Sequence, residues 1–214
     1  VVSYMLLRVP IAINVFIPLL VSMIAGGLIA GEAQRGTLRA MMVRPIHRWA
    51  AVLAKACAAF IHSTSLVLFM GVLSLLVGYI VFGGGDLVAV EGGLRIFTEW
   101  DGIRRLALAY GITALTMCSV AALALFCSTI FEHPLTASGV TVGFLIVSGA
   151  LMLIPSFEWL KPHLLTTHLN AFSHVFDRDI VWAEIRYDMI YVAYYTLAAI
   201  GGTLLVFQRK DITC

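Results

Sequence analysis

Apolar residues run along this chain in long blocks with short polar interruptions, a rhythm that neither an amphipathic surface helix nor a half-buried strand produces. Pro10 to Ala30, PIAINVFIPLLVSMIAGGLIA, is 21 residues without a charge, and about 20 apolar residues cross a hydrocarbon core of about 30 Å. Similar blocks follow at 50–82, 103–130, 135–154 and 189–207, so the pattern predicts five spanning helices. Within the first, Pro18 predicts a kink, and Gly26, Gly27, Ala30 and Gly31 predict a small-residue face for close helix contact. The block 50–82 is longer than a bilayer needs, which predicts tilt or extension beyond the lipid.

The interruptions have characters of their own. Between the first two blocks, Ala33 to Ile46 places Leu38, Met41 and Met42 on one side at spacings of three and four, with Arg35, Arg39 and Arg44 elsewhere. That spacing predicts a short amphipathic helix along the membrane surface, ended by Pro45, with Trp49 at the interface. GGGD at 83–86 closes the second span, and 83–102 reads as an external loop with a short surface helix. Glu132-His133-Pro134 is a break so short that the helices around it must form an antiparallel hairpin. The segment 156–188 is too polar to span yet carries Trp159, Leu164, Leu165, Phe172, Phe176 and Trp182, which predicts short amphipathic helices capping the bundle or dipping into the outer leaflet. Tyr187, Tyr191, Tyr194 and Tyr195 crowd the outer end of the last block as an aromatic belt, and Arg209 and Lys210 follow the block.

Composition agrees and adds an orientation. Of 214 residues, 61% are hydrophobic and 12% charged, with mean hydropathy +0.97; a soluble domain carries roughly 25% charge. The fold class is therefore an all-α polytopic membrane protein, a single transmembrane domain over 1–214. The stretch 31–55 holds Arg35, Arg39, Arg44, Arg48 and Lys55 against Glu32, a net of +4, whereas 83–105 stands at −1 and 156–188 at −2. Lys and Arg in short loops stay on the cytoplasmic side, so 31–55 is expected inside and the two acidic segments outside. Val1 then falls outside, and a further helix upstream is expected, giving six. The expected location is the inner or plasma membrane of a bacterial cell. No basic stripe interleaved with aromatics supports nucleic-acid binding. The cysteines, Cys57, Cys118, Cys127 and Cys214, include no CxxC pair, and neither a disulfide framework nor a metal knuckle is expected.

The run Glu32-Ala33-Gln34-Arg35-Gly36-Thr37-Leu38, then Arg44-Pro45-Ile46-His47-Arg48 and Lys55, resembles the permeases of ABC transporters of the type-2 (exporter) class. In that family a glutamate, Gly-Thr, an apolar pair, Pro, Arg and a downstream Lys lie between the second and third membrane helices. The ending Phe207-Gln208-Arg209-Lys210-Asp211-Ile212 and the step Ser128-Thr129-Ile130-Phe131 are similar to that family's tail and to the approach to its cytoplasmic hairpin. The resemblance implies six helices per subunit, a homodimer or similar heterodimer, and two cytoplasmic ATPase subunits. This chain lacks a G-x-x-x-x-G-K-[S/T] loop, so ATP and Mg would be bound by the partner ATPase and this chain would need no cofactor and perform no catalysis itself. Coupling would run through 31–48: Arg35, Arg39, Arg44 and Arg48 facing acids on the ATPase, Glu32 capping the start of the 33–46 helix, and Gly36 and Thr37 admitting a close neighbouring backbone before Pro45 fixes the exit. The plain alternative is a basic loop that only sets orientation and touches anionic lipid.

Other positions bear on rival functions. His62, beside Ser63, Thr64 and Ser65, is the ionisable residue placed deep in the lipid region; it lines a path or hydrogen-bonds to a neighbouring helix. A membrane-embedded enzyme needs a nucleophile with a base, and Ser63 beside His62 is the near candidate, although adjacent helical residues point apart. An ion-gradient carrier needs intramembrane charge or broken helices. His163, His168 and His174 with Asp177 and Asp179 suit a metal by residue type, but their spacing reads better as scattered surface histidines. Apolar, Gly/Ala/Ser-rich spans suit an amphiphilic cargo.

Overall fold

The computed structural model describes residues 15–36, 47–83, 87–89, 95–177 and 179–209. Five helices in it are long and apolar enough to cross a membrane: α1 (Ile17–Gln34), α2 (Arg48–Phe82), α3 (Glu99–Ile130), α4 (Pro134–Leu151) and α6 (Trp182–Arg209). Between α2 and α3 lies a two-stranded antiparallel ribbon, β1 (Leu87–Ala89) on β2 (Arg95–Phe97), with Val88 opposite Ile96. Between α4 and α6 come 3-10 turns at Pro155–Phe157 and Lys161–His163, the single-turn α5 (Leu165–His168), and a 3-10 stretch Ala171–Phe176.

Several expectations are corrected here. The predicted surface helix in 83–102 is instead the ribbon, followed directly by α3, which starts at Glu99. Glu99 and Asp101 lie in its first turn, where carboxylates meet the positive end of the helix dipole. The last span begins at Trp182: Asp188 turns into the protein against His168, and the exposed Glu184 pairs with His174. Pro18 stands at the start of α1, directly after a π-helical step at Val15 and Phe16. α1 runs on through Gln34, so Ala33 and Gln34 end a span. The remainder of the predicted 33–46 helix, from residue 37 on, lies outside the described residues, as does the start of the first block at Pro10.

Architecture follows from which helix is apolar all round. α3 packs against α1, α2, α4, α6 and the 3-10 stretch, and its inner positions are small: Ala109, Ala114, Ala121 and Ala124 are buried beside Met117 and Val120. Small side chains let helices approach closely where lipid, being as apolar as leucine, supplies no hydrophobic drive. Its hydroxyls fold back, Thr113 Oγ1 onto Ala109 O at 2.8 Å and Ser119 Oγ onto Thr116 O at 2.6 Å, so these donors of α3 are satisfied. The outer faces of α2 and α6 stay apolar and exposed, with Phe69, Leu76, Ile80, Ile190, Tyr194 and Leu197 open, as helices solvated by lipid require. α2, at 35 residues, is about 52 Å long.

Two ends result. At one, α1 finishes, α2 starts, α3 turns into α4, and α6 finishes. The ribbon, the 3-10 turns and α5 crowd the other.

Candidate functional site

The first end gathers the basic stretch. α1 closes with the Arg35 N–H on Gly31 O at 3.2 Å and the Gly36 N–H on Ala33 O at 3.1 Å. Gly36 has φ +71°, with open space around its Cα. It serves the left-handed turn that releases the chain from α1. Arg35 bends back on its own helix, Nε donating to Gly31 O at 2.9 Å.

Glu32 is in the last turn of α1 rather than at the start of a new helix, and its partner is a side chain. Lys55 Nζ, two turns into α2, lies 2.6 Å from Glu32 Oε2 and donates to Leu28 O at 2.7 Å. The Lys55 side chain is 11% exposed and that of Glu32 30%. A lysine so enclosed is tolerable only with its counter-charge in place, so the pair ties the exit of α1 to the entry of α2. Arg48 secures a third helix: its Nη1 donates to Gln208 O at 2.9 Å and approaches Phe207 O at 3.5 Å. Those carbonyls end α6 and have no intrahelical donor, and the cation also suits the negative pole of the helix. Beneath them Ile29, Val52, Ala56, Leu125 and Phe207 form one buried apolar cluster.

Ser128 completes the junction. Its Oγ accepts from Ile29 N at 3.1 Å and Ala30 N at 2.8 Å and donates to Gly26 O at 2.6 Å. A hydroxyl from α3 thus enters the α1 ladder at the step joining Gly26 to Ala30. On the same turn Gly26 lets α4 come close: a Cβ there would lie 2.9 Å from Ser138 Oγ and 3.1 Å from Ser138 N of α4.

Of the candidates read from sequence, the structure brings Glu32, Arg35, Gly36 and Arg48 to this junction. Thr37, Arg39, Arg44 and Pro45 lie outside the described residues. His62 is elsewhere, in the middle of α2. Its Nε2 and the Ser63 Oγ are buried without a hydrogen-bond partner, so the expected bond from His62 to a neighbouring helix is not formed; Thr64 instead reaches Cys118 Sγ at 3.7 Å. Sequence reasoning missed Lys55 as the partner of Glu32 and the carbonyls that hold Arg48. The signal for the first was present, an acid and a base flanking one connector between antiparallel helices.

The opposite end holds a second polar cluster, and it overturns the picture of scattered surface histidines. His168, 1% exposed, has Nδ1 at 2.8 Å from Asp188 Oδ1 and Nε2 at 3.1 Å from Pro162 O, and it stacks on Tyr191 with centroids 4.5 Å apart. His174 Nδ1 lies 2.8 Å from Glu184 Oε2, with Nε2 3.6 Å from Asp188 Oδ2. Arg105 of α3 donates to Val175 O and Asp177 O, both at 2.6 Å, and pairs with Asp101 at 3.0 Å beneath the ring of Phe97. Among the described residues no three His, Cys, Asp or Glu side chains stand where they would hold a metal. The cluster fastens the 155–177 segment onto α3 and α6.

A family model described as "Protein of unknown function (DUF2705)" matches residues 4–213. The chain is also similar to "Uncharacterized protein YhcI" of Bacillus subtilis (strain 168), at 25% identity over 197 residues. That match covers 88% of this chain but 62% of the relative, so the chain spans less than two thirds of the relative's length.

Proposed function

The chain belongs to the DUF2705 family, and we propose that it is a transmembrane permease subunit of an ATP-driven transporter of the ABC type-2 exporter class. In this reading the bundle forms the substrate pathway in the plasma membrane, pairs with a second permease copy, and takes its power stroke from a separate cytoplasmic ATPase through 31–48. Five helices of spanning length, the +4 charge of 31–55, and the Glu32…Gly36-Thr37…Pro45…Arg48…Lys55 pattern support it.

One observation carries the coupling role: the connector's two flanks are fastened into the bundle at charged contacts, Glu32 to Lys55 at 2.6 Å and Arg48 to Gln208 O at 2.9 Å. A partner can bias a two-state membrane domain only through a contact whose free energy differs between the states. A loose loop would absorb a push. A connector anchored on α1, α2 and α6 delivers it to three helices, and Ser128 passes it to α3. The other clustered charges, Arg105 and Asp188 with the histidines, sit in a network at the far end.

The test is reconstitution with the ATPase chain that carries the phosphate-binding loop. Arg39→Glu together with Arg44→Glu is expected to abolish stable association and stimulation of ATP hydrolysis while the permease still folds. A complex that survives both reversals with full stimulation refutes the assignment.

A further inference from the structure

At the basic end a groove runs between the first turns of α2 and the last turns of α6. Trp49, Val52 and Leu53 form one wall, Ile200 and Leu204 the other, around a volume of about 90 Å³. A water in so apolar a groove would find none of the two to four partners it needs, so the natural filling is hydrocarbon. The end of the groove is different. Arg48 closes it with its guanidinium on the Gln208 carbonyl, exposed His47 stacks on Trp49 at 6.3 Å, and exposed Arg209 follows one residue after Gln208. Ile200, Leu204 and Gln208 recur every four residues, so they share one stripe of α6 that leads from the apolar wall to this collar. Neither 48–60 nor 198–209 contains an acidic residue, Glu32 is engaged by Lys55, and Asp211, two positions after Arg209 in the sequence, is offset by the adjacent Lys210. An apolar trough thus opens into a cationic rim.

We propose that this groove binds an acyl chain of an anionic phospholipid, whose phosphate headgroup lies against the collar of His47, Arg48 and Arg209. The inference rests on the membrane-spanning part of the proposed function and is independent of the ATPase. Charge complementarity selects this occupant: a zwitterionic headgroup brings its own cation to a rim that is already positive, whereas a net anion does not. Each Lys or Arg near an anionic headgroup contributes about a fivefold preference. Arg48 is already shared with a helix terminus, so a preference of about five- to tenfold is expected for the pair.

Trp49 provides the probe. The other three tryptophans, Trp100, Trp159 and Trp182, lie at the opposite end and are 79%, 70% and 55% exposed, so each can be changed to Phe. The full chain carrying Trp49 alone is placed in phosphatidylcholine vesicles, and its fluorescence is quenched with brominated phosphatidylglycerol or brominated phosphatidylcholine. Phosphatidylglycerol is expected to quench with about five- to tenfold higher relative affinity, and Arg209→Gln to lower that preference severalfold. Leu204→Phe, which fills the trough and leaves the collar intact, is expected to abolish it. Arg48→Gln also loosens the α2–α6 contact, and for that reason Arg209→Gln and Leu204→Phe carry the test. Equal quenching by the two lipids overturns the proposal, as does a preference unchanged in Arg209→Gln and Leu204→Phe. Relief of the selective quenching by inorganic phosphate at constant ionic strength assigns the collar to a free anion and also overturns it. Flotation of the chain with the vesicles separates the readings: a floating protein without lipid selectivity sinks only the groove, and one that stays in solution sinks the membrane reading itself.

Discussion

Replacing Lys55 with methionine tests whether the junction is built as described. The substitution keeps the apolar stem that lies along α1 and removes the ammonium, which contacts Glu32 Oε2 at 2.6 Å and Leu28 O at 2.7 Å. Removing one partner of a fully buried ion pair costs about 3–5 kcal/mol, because the remaining charge stays desolvated. Here the Glu32 side chain is 30% exposed, so water recovers part of that and the expected loss falls to about 2–3 kcal/mol. For a chain of this size that corresponds to a melting temperature lower by about 4–10 °C, measured in detergent micelles by intrinsic fluorescence. The cycle of Lys55→Met, Glu32→Gln and the double variant isolates the pair, with an expected coupling of about 1–3 kcal/mol. The swap of Lys55→Glu with Glu32→Lys regains only part of the loss, since a carboxylate at position 55 cannot donate to Leu28 O. A strictly additive cycle, or a Lys55→Met protein as stable as the parent, refutes the account of how α1 and α2 are joined.

Two further outcomes follow from the same structure. Ser128→Ala withdraws the hydroxyl that satisfies Ala30 N and Gly26 O and is expected to destabilise by about 1–3 kcal/mol; faster hydrogen exchange confined to α1 amides near residues 29–30 identifies the site, and unchanged exchange there contradicts it. His168→Phe preserves an aromatic stack on Tyr191 but leaves the Asp188 carboxylate only the longer 3.6 Å approach of His174 Nε2, for about 2–4 kcal/mol, with proteolysis newly admitted to 155–177; Asp188→Asn in the same chain should recover much of the loss, and a double variant no better than His168→Phe alone refutes the pairing.

The spans were legible because blocks of about 20 apolar residues admit few alternatives in either solvent. Their ends were not, for identifiable reasons. Glu184 and Asp188 make the start of α6 look like loop, yet Asp188 points inward at His168 and Glu184 pairs at the surface with His174, and a charge engaged by a partner is indistinguishable in sequence from one turned toward water. The ribbon at Leu87–Ala89 and Arg95–Phe97 is three residues per strand, too short for alternation to register. Glu32 and Lys55 both stood in the recognised pattern, but their meeting depends on an antiparallel return that only tertiary structure supplies. Ser128 was visible as one residue of a weak match, and nothing in its neighbours announces that its hydroxyl enters another helix 98 positions away.

The central place of α3 has a consequence for biogenesis. α1 and α2 leave the ribosome before α3, and they carry their own tie in Glu32 and Lys55, so they can wait in the lipid as a linked pair. The α1 step from Gly26 to Ala30 waits for the serine of α3, and the seam that Gly26 opens waits longer, for Ser138 of α4. Only when α4 and α6 have followed is α3 enclosed on every side. The order of synthesis is thus also the order of closure, and a nascent chain halted after α2 would hold two tethered rods with an open slot between them.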